Sequence, residues 1–217
     1  MSDFQAARTH MIDCQLRPNE VNDERIIQAI NSIPRENFVP KSKRAIAYVD
    51  EDLEVVKGRY LMEPVIFARL LVVANIQPTD LVLDVGCVTG YSTAVMAALA
   101  DAVVAVEQDE KLASMAEEKL SGLEIMNVAV VTGTLSEGVA KQGPYDVIFI
   151  EGAVEDVPSK LVKQLKEGGR LVCVKMFGGV GRGHVIEMKN GEPAVRNLFD
   201  ANVQQLPGFS LKKEFVF

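Results

Sequence analysis

Residues 81–91, Leu81-Val82-Leu83-Asp84-Val85-Gly86-Cys87-Val88-Thr89-Gly90-Tyr91, decide the fold. The first five form a short apolar run broken only by Asp84, as expected of a parallel strand buried on both faces. Gly86 and Gly90 then bracket a tight turn, and the following residues suit a helix whose free N–H groups and positive end face a ligand. Ala102 to Val106 supply a second apolar run ending in Glu107. A carboxylate there can accept hydrogen bonds from both hydroxyls of a ribose. Strand, loop, helix, strand and acid together outline a nucleotide-cofactor site.

Working outward, strands are expected at 81–85, 102–107, 127–132, 145–150 and 170–176, with helices at about 91–100, 109–120 and 157–166 between them. The alternation predicts a mostly parallel α/β sheet flanked by helices. Two short helices are expected in the first forty residues, the second capped by Asn22 with Asp23 and Glu24 in its first turn and ended by Pro34. Residues 41–60 read as irregular, with a strand at 53–56. Pro64 opens an apolar helix running to Ile76. Gly178, Gly179, Gly181 and Gly183 punctuate the turn of a C-terminal hairpin that continues through His184 to Met188, and the alternation of Phe209 to Phe217 reads as a last strand. One domain is expected over 1–217, with 1–77 as a helical extension and 78–217 as the core.

Composition narrows the function. The 217 residues are 48% hydrophobic and carry a net charge of −7. That balance argues against a nucleic-acid or anionic-membrane surface, which needs clustered Lys and Arg to offset phosphate charge. Cys14, Cys87 and Cys173 are odd in number and widely spaced, which points to reduced thiols. The first residues lack the apolar run of a signal peptide, and no stretch is long enough to span a bilayer, so a cytoplasmic protein is expected. His10 and His184 stand alone, and no cluster has metal-ligand spacing, so no metal is expected.

The glycines select among cofactors. A dinucleotide turn, Gly-x-Gly-x-x-Gly, would need glycine at 88 and 91, where the chain has Val88 and Tyr91. The turn instead resembles the S-adenosylmethionine site of Rossmann-like class I methyltransferases, Asp/Glu-x-Gly-x-Gly-x-Gly. Asp84, Gly86 and Gly90 match it, and Val88 replaces the middle glycine. A branched Cβ there adds bulk where the backbone should approach the ligand and restricts φ, which weakens the expected affinity.

Over most of its length the chain resembles the protein-L-isoaspartate O-methyltransferase family. The resemblance is carried by Gln15-Leu16 with Asp23-x-Arg25, Pro34-Arg35-x-x-Phe38-Val39-Pro40, Ala47-Tyr48-x-Asp50, and Gly58 with Glu63-Pro64. Tyr91, Asn127-Val128, Gly133, Pro144-Tyr145-Asp146 and Leu165-x-x-Gly168-Gly169-Arg170-Leu171-Val172 continue it. It implies a Rossmann-like fold with N-terminal helices at the active site, S-adenosylmethionine as cofactor with S-adenosylhomocysteine as product, and the abnormal isoaspartyl carboxylate of damaged proteins as acceptor. Asp84, Gly86, Cys87, Val88, Gly90, Tyr91, Glu107, Gly133, Thr134 and Glu151 are the implied cofactor residues. Such methyl transfer asks mainly for positioning, because the acceptor carboxylate is already ionised at neutral pH.

Departures concentrate at the mouth. The family's segment resembles Gly-Gln-Thr-Ile-Ser-Gln-Pro, with its serine as the active-site hydroxyl; here it is Gly58-Arg59-Tyr60-Leu61-Met62-Glu63-Pro64. Met62 cannot donate a hydrogen bond, which leaves no catalytic residue assigned; at the edge of an apolar helix it reads as a packing residue, or else as one that widens the pocket for a less polar acceptor. Glu63 would repel an incoming carboxylate by roughly 1 kcal/mol, or serves the start of the following helix. Arg59 and Tyr60 either bind an anionic substrate or lie in a solvated loop. The family's Gly-Asp becomes Gly133-Thr134, and its Thr-Ala-Ala becomes Glu151-Gly152-Ala153. Three functions stay open: the family's repair reaction on a protein or peptide carboxylate, methylation of a different acceptor such as a small molecule, and a non-catalytic binding protein on the same scaffold. The sequence leaves the oligomeric state undetermined.

Overall fold

The computed structural model of the chain describes residues 3–211. Helix α1 (Phe4–Met11), capped by the Asp3 side chain, runs on through a wider turn to Leu16. Helix α2 (Glu24–Ser32) begins one residue later than expected: Asp23, not Asn22, is the cap, its Oδ1 accepting from the Arg25 N–H at 2.9 Å. Strands β1 (Leu53–Val56) and β2 (Arg59–Leu61) then form a small antiparallel hairpin of their own. Helix α3 (Pro64–Ala74) follows, with proline in its first turn. Two of the N–H groups near its start are satisfied from outside the helix, Glu63 N–H by Asp52 at 2.8 Å and Val65 N–H by Asp50 at 3.0 Å.

The main sheet contains β3 (Leu81–Val85), β4 (Ala102–Glu107), β5 (Val128–Thr132), β6 (Tyr145–Val154), β7 (Leu165–Phe177), β8 (Val180–Lys189) and β9 (Glu192–Asp200), in the order β5-β4-β3-β6-β7-β8-β9. The first five are parallel, and β8 and β9 add antiparallel strands at one side. Helices α4 (Tyr91–Ala97), α5 (Glu110–Gly122) and α6 (Ser159–Val162) lie between the parallel strands. Alternate residues of β3 serve opposite faces. Val82 joins a core that includes Met11, Ile30, Phe67 and Phe149, whereas Leu83 and Val85 join Val106, Ile150 and Leu171 on the other side. The N-terminal helices thus pack on one face of the sheet, which explains why β3 reads as a continuous apolar run.

Three further expectations are corrected. The helix at 157–166 is a single turn, because Leu165 already pairs with Tyr145 in the sheet. Gly181 and Gly183 lie within β8, and only Gly178 and Gly179 turn, at φ 55° and 92°. The strand expected at Phe209 to Phe217 is not formed over 209–211, and its remainder lies outside the described residues. The outermost strand is β9 instead. It holds Pro193 and is largely exposed, so its alternation is weak, as edge strands tolerate. The chain then turns back across β6, where Ala153 exchanges backbone hydrogen bonds with Gln204 and Leu206 at 2.9 and 2.8 Å.

Candidate functional site

The strand order creates a crevice. From β3 the chain steps outward to β4 and β5, then returns to the other side of β3 as β6. Open α/β sheets bind ligands where the order reverses in this way, outside the carboxyl ends of the strands. Gly86 and Glu151 flank that point.

The turn after β3 is built around Asp84. Its Oδ2 accepts from Ser92 Oγ at 2.7 Å and Thr93 Oγ1 at 2.6 Å, tying the strand to the first turn of α4. Its Oδ1 has no partner among the described residues. Burial pushes this carboxyl up to about 7, with the two hydroxyls opposing and the nearby Glu107 charge reinforcing the shift. Gly86, Val88 and Gly90 all have positive φ, at 88°, 52° and 89°. For Val88 that is a strained conformation, held by its buried N–H donating to Glu107 at 3.0 Å. Gly90 lets α4 lie close to α5, since a Cβ there would stand 3.2 Å from that of Ala116. Tyr91 is a core residue, packed on Phe38 and Phe67 and under the guanidinium of buried Arg35 at 4.8 Å. Burial raises the Cys87 thiol well above its usual range, so it stays protonated.

Glu107 ends β4, fully buried, where the sequence places it. Its partners are unexpected. Arg59, expected at a substrate mouth or in a solvated loop, is itself only 6% exposed and grips both Glu107 oxygens, Nη1 on Oε1 and Nη2 on Oε2, the latter at 2.6 Å. The same Nη2 donates to Gly86 O at 3.3 Å. Backbone N–H groups of Gln108 and Asp109 complete Oε1 at 2.8 and 3.1 Å, and Val88 N–H completes Oε2. Five donors therefore converge on a carboxylate with about four lone-pair sites.

The other sequence-selected residues divide. Gly133 N–H donates to Glu107 O at 2.9 Å, placing the β5 turn beside the same acid, while Thr134 is exposed. Glu151, Tyr60 and Met62 line one cleft with Arg59, Asp52 and Leu206. Glu151 is half-buried, with an Oε1 that lacks a partner among the described residues, and desolvation holds its carboxyl well above the usual range. Met62 is 4% exposed and packs, its carbonyl accepting from Arg35 Nη2 at 2.8 Å. Glu63 sits at the head of α3 without capping it by its side chain; it lines a separate groove beside β8, and burial with neighbouring acids raises it to about 7. Leu206 carries no sequence signal, because only the return of the chain after β9 brings it over the glycine turn. Among the described residues, no His, Cys, Asp and Glu cluster could hold a metal, and no helix is long and apolar enough to cross a membrane.

Residues able to hold the ribose and methionine parts of S-adenosylmethionine are thus present at the crevice, but in this conformation they do not fit it. Glu107 has no free oxygen. The space above the glycines is filled as well: a Cβ on Gly86 would lie 2.9 Å from Leu206 Cδ1, and one on Gly152 would lie 3.0 Å from Leu206 Cβ. The cleft that remains has a cavity of about 10 Å³, roughly the space of one water.

Comparisons with known proteins agree with this architecture. The model of the family Protein-L-isoaspartate(D-aspartate) O-methyltransferase matches residues 6–190. A protein-L-isoaspartate O-methyltransferase of Koribacter versatilis is 44% identical over 172 residues, covering 79% of this chain and 78% of that one. One from Methanoculleus marisnigri is 36% identical over 166 residues, covering 76% of each. A solved protein-L-isoaspartate O-methyltransferase superposes with a TM-score of 0.80 at 28% identity, over 93% of this chain and 66% of that one. The fold is also that of a Plasmodium falciparum protein solved with S-adenosyl-L-homocysteine, at a TM-score of 0.79 and 20% identity over 95% and 99% of the two chains. With a family model spanning most of its length and relatives this similar, the chain belongs to the protein-L-isoaspartate O-methyltransferase family, whose members are S-adenosylmethionine-dependent protein carboxyl O-methyltransferases.

Proposed function

We propose that this protein is an S-adenosylmethionine-dependent carboxyl methyltransferase whose rebuilt mouth makes it a poor repair enzyme for isoaspartate. The observation that carries the reading is the placement of Asp84, Gly86 and Glu107 on one side of the reversal in strand order and Glu151 on the other. The acceptor side supports the restriction. No hydroxyl stands at position 62, and the cleft is lined by the carboxyl groups of Asp52 and Glu151, whose ionisation an arriving anion would oppose further. Losing an orienting donor costs about 100-fold or more in rate.

Titration calorimetry with S-adenosylmethionine and S-adenosylhomocysteine, followed by methyl transfer to an isoaspartyl peptide, tests it. Measurable binding with turnover about 100-fold below that of a repair-competent relative is expected. No binding at millimolar cofactor would defeat the reading, and turnover equal to the relative would defeat the restriction. The Arg59–Glu107 contact favours a second reading, a non-catalytic binding protein on the same scaffold, which the first of those failures would support.

A further inference from the structure

We propose that Arg59 sets the cofactor affinity of this chain by competing, as an internal ligand, for the oxygens of Glu107 that a ribose diol would occupy. The proposal rests on reading the crevice as a cofactor site. A planar guanidinium presents two parallel N–H donors, and a ribose presents two neighbouring hydroxyls, so both address the same pair of carboxylate oxygens. The two cannot share them, because the remaining acceptor sites already take the N–H groups of Val88, Gln108 and Asp109.

Three further observations make Arg59 an exchangeable occupant. It is carried by β2, which among the described residues pairs only with β1 and belongs to a different sheet from β4, so the hairpin can shift while Glu107 stays fixed in the central sheet. Its buried Nε has no partner among the described residues, so the docked arginine still leaves one donor unsatisfied. The cleft also offers other acceptors. Asp52 and Glu151 line it with Arg59, and desolvation holds both carboxyls above their usual range. A guanidinium displaced from Glu107 can donate to these carboxyl oxygens and favours their ionisation, which lowers the cost of exchange.

The test is calorimetric binding of S-adenosylhomocysteine to the native protein, Arg59→Gln and Arg59→Lys, each first checked for a cooperative thermal transition. Arg59→Gln is expected to bind at least about tenfold tighter than native. Arg59→Lys, which keeps the charge but cannot bridge both oxygens, is expected to fall between them and carries the test if the glutamine variant does not fold. Amide exchange at residues 57–61 should quicken when the native protein binds the ligand, as the hairpin gives up its anchor. Equal micromolar binding by all three proteins would overturn the proposal and leave the methyltransferase reading standing. No binding by any of them at millimolar ligand would overturn both.

Discussion

Two buried carboxyl groups stand at or beside the ends of neighbouring strands of the sheet, and they are satisfied in opposite ways. Asp84 takes its hydrogen bonds from Ser92 and Thr93, eight and nine residues along the chain, and keeps one oxygen without a partner among the described residues. Glu107 takes its strongest contact from Arg59, 48 residues away, and is saturated. The first arrangement builds the turn and leaves a carboxyl that resists ionisation. The second closes the crevice with a charge pair. A strand-end acid therefore does not by itself mark an open ribose site, because what faces it is decided by a distant segment.

The contrast can be broken at several points. Removing the cation should have the largest effect, since it strands a buried charge: Arg59→Met is expected to lower unfolding stability by about 3–5 kcal/mol in urea at pH 7. At Asp84 the effect should be one of pH. Its folded carboxyl sits near 7 against an unfolded 3.8, so the folded state holds the proton more tightly. The stability this provides is full below about pH 4 and is lost as the pH rises through 7. The native protein should lose up to about 1.4 kcal/mol per pH unit across that window relative to Asp84→Asn. Parallel stability curves for the two proteins would remove the claim that Asp84 resists ionisation.

Val88 gives a smaller but sharper test, because it lies between the two acids. Glycine there relieves the positive φ while giving up a buried side chain, whereas alanine gives up the side chain and keeps the strain. Val88→Gly should therefore be at least as stable as Val88→Ala, by about 1 kcal/mol. The usual order, with alanine ahead, would show that the turn is not strained. Smallest of all should be the exposed Lys160–Glu137 pair, 65% and 52% exposed. Lys160→Ala is expected to change stability by less than about 0.5 kcal/mol, and a loss approaching that of Arg59→Met would erase the distinction between buried and surface pairs.

Local physics was legible in the sequence and long-range occupancy was not. Leu81–Val85 and Ala102–Glu107 have the bounds their apolar runs imply, because burial on both faces leaves a continuous signal. The proline start of α3 and the glycine turn were equally plain. Strand β9 was missed because an edge strand needs little apolar alternation, and Leu206 because its role depends on where the chain returns after that strand. Arg59 stood out as a departure from the family pattern, yet its spacing could not reveal that it turns inward to Glu107. Met62 is the opposite case: both the lost hydroxyl and the packing reading were legible, because an apolar side chain beside an apolar helix has a local reason to be buried.

The most direct test of the central claim, that Glu107 is committed to Arg59, is a double-mutant cycle on Arg59→Met and Glu107→Gln, followed by urea unfolding. The expected result is a coupling of about 2 kcal/mol or more, with the double variant recovering much of what Arg59→Met loses. Losses that add to within about 0.5 kcal/mol would mean that the two side chains do not hold each other, and the crevice would then be open to a ribose after all.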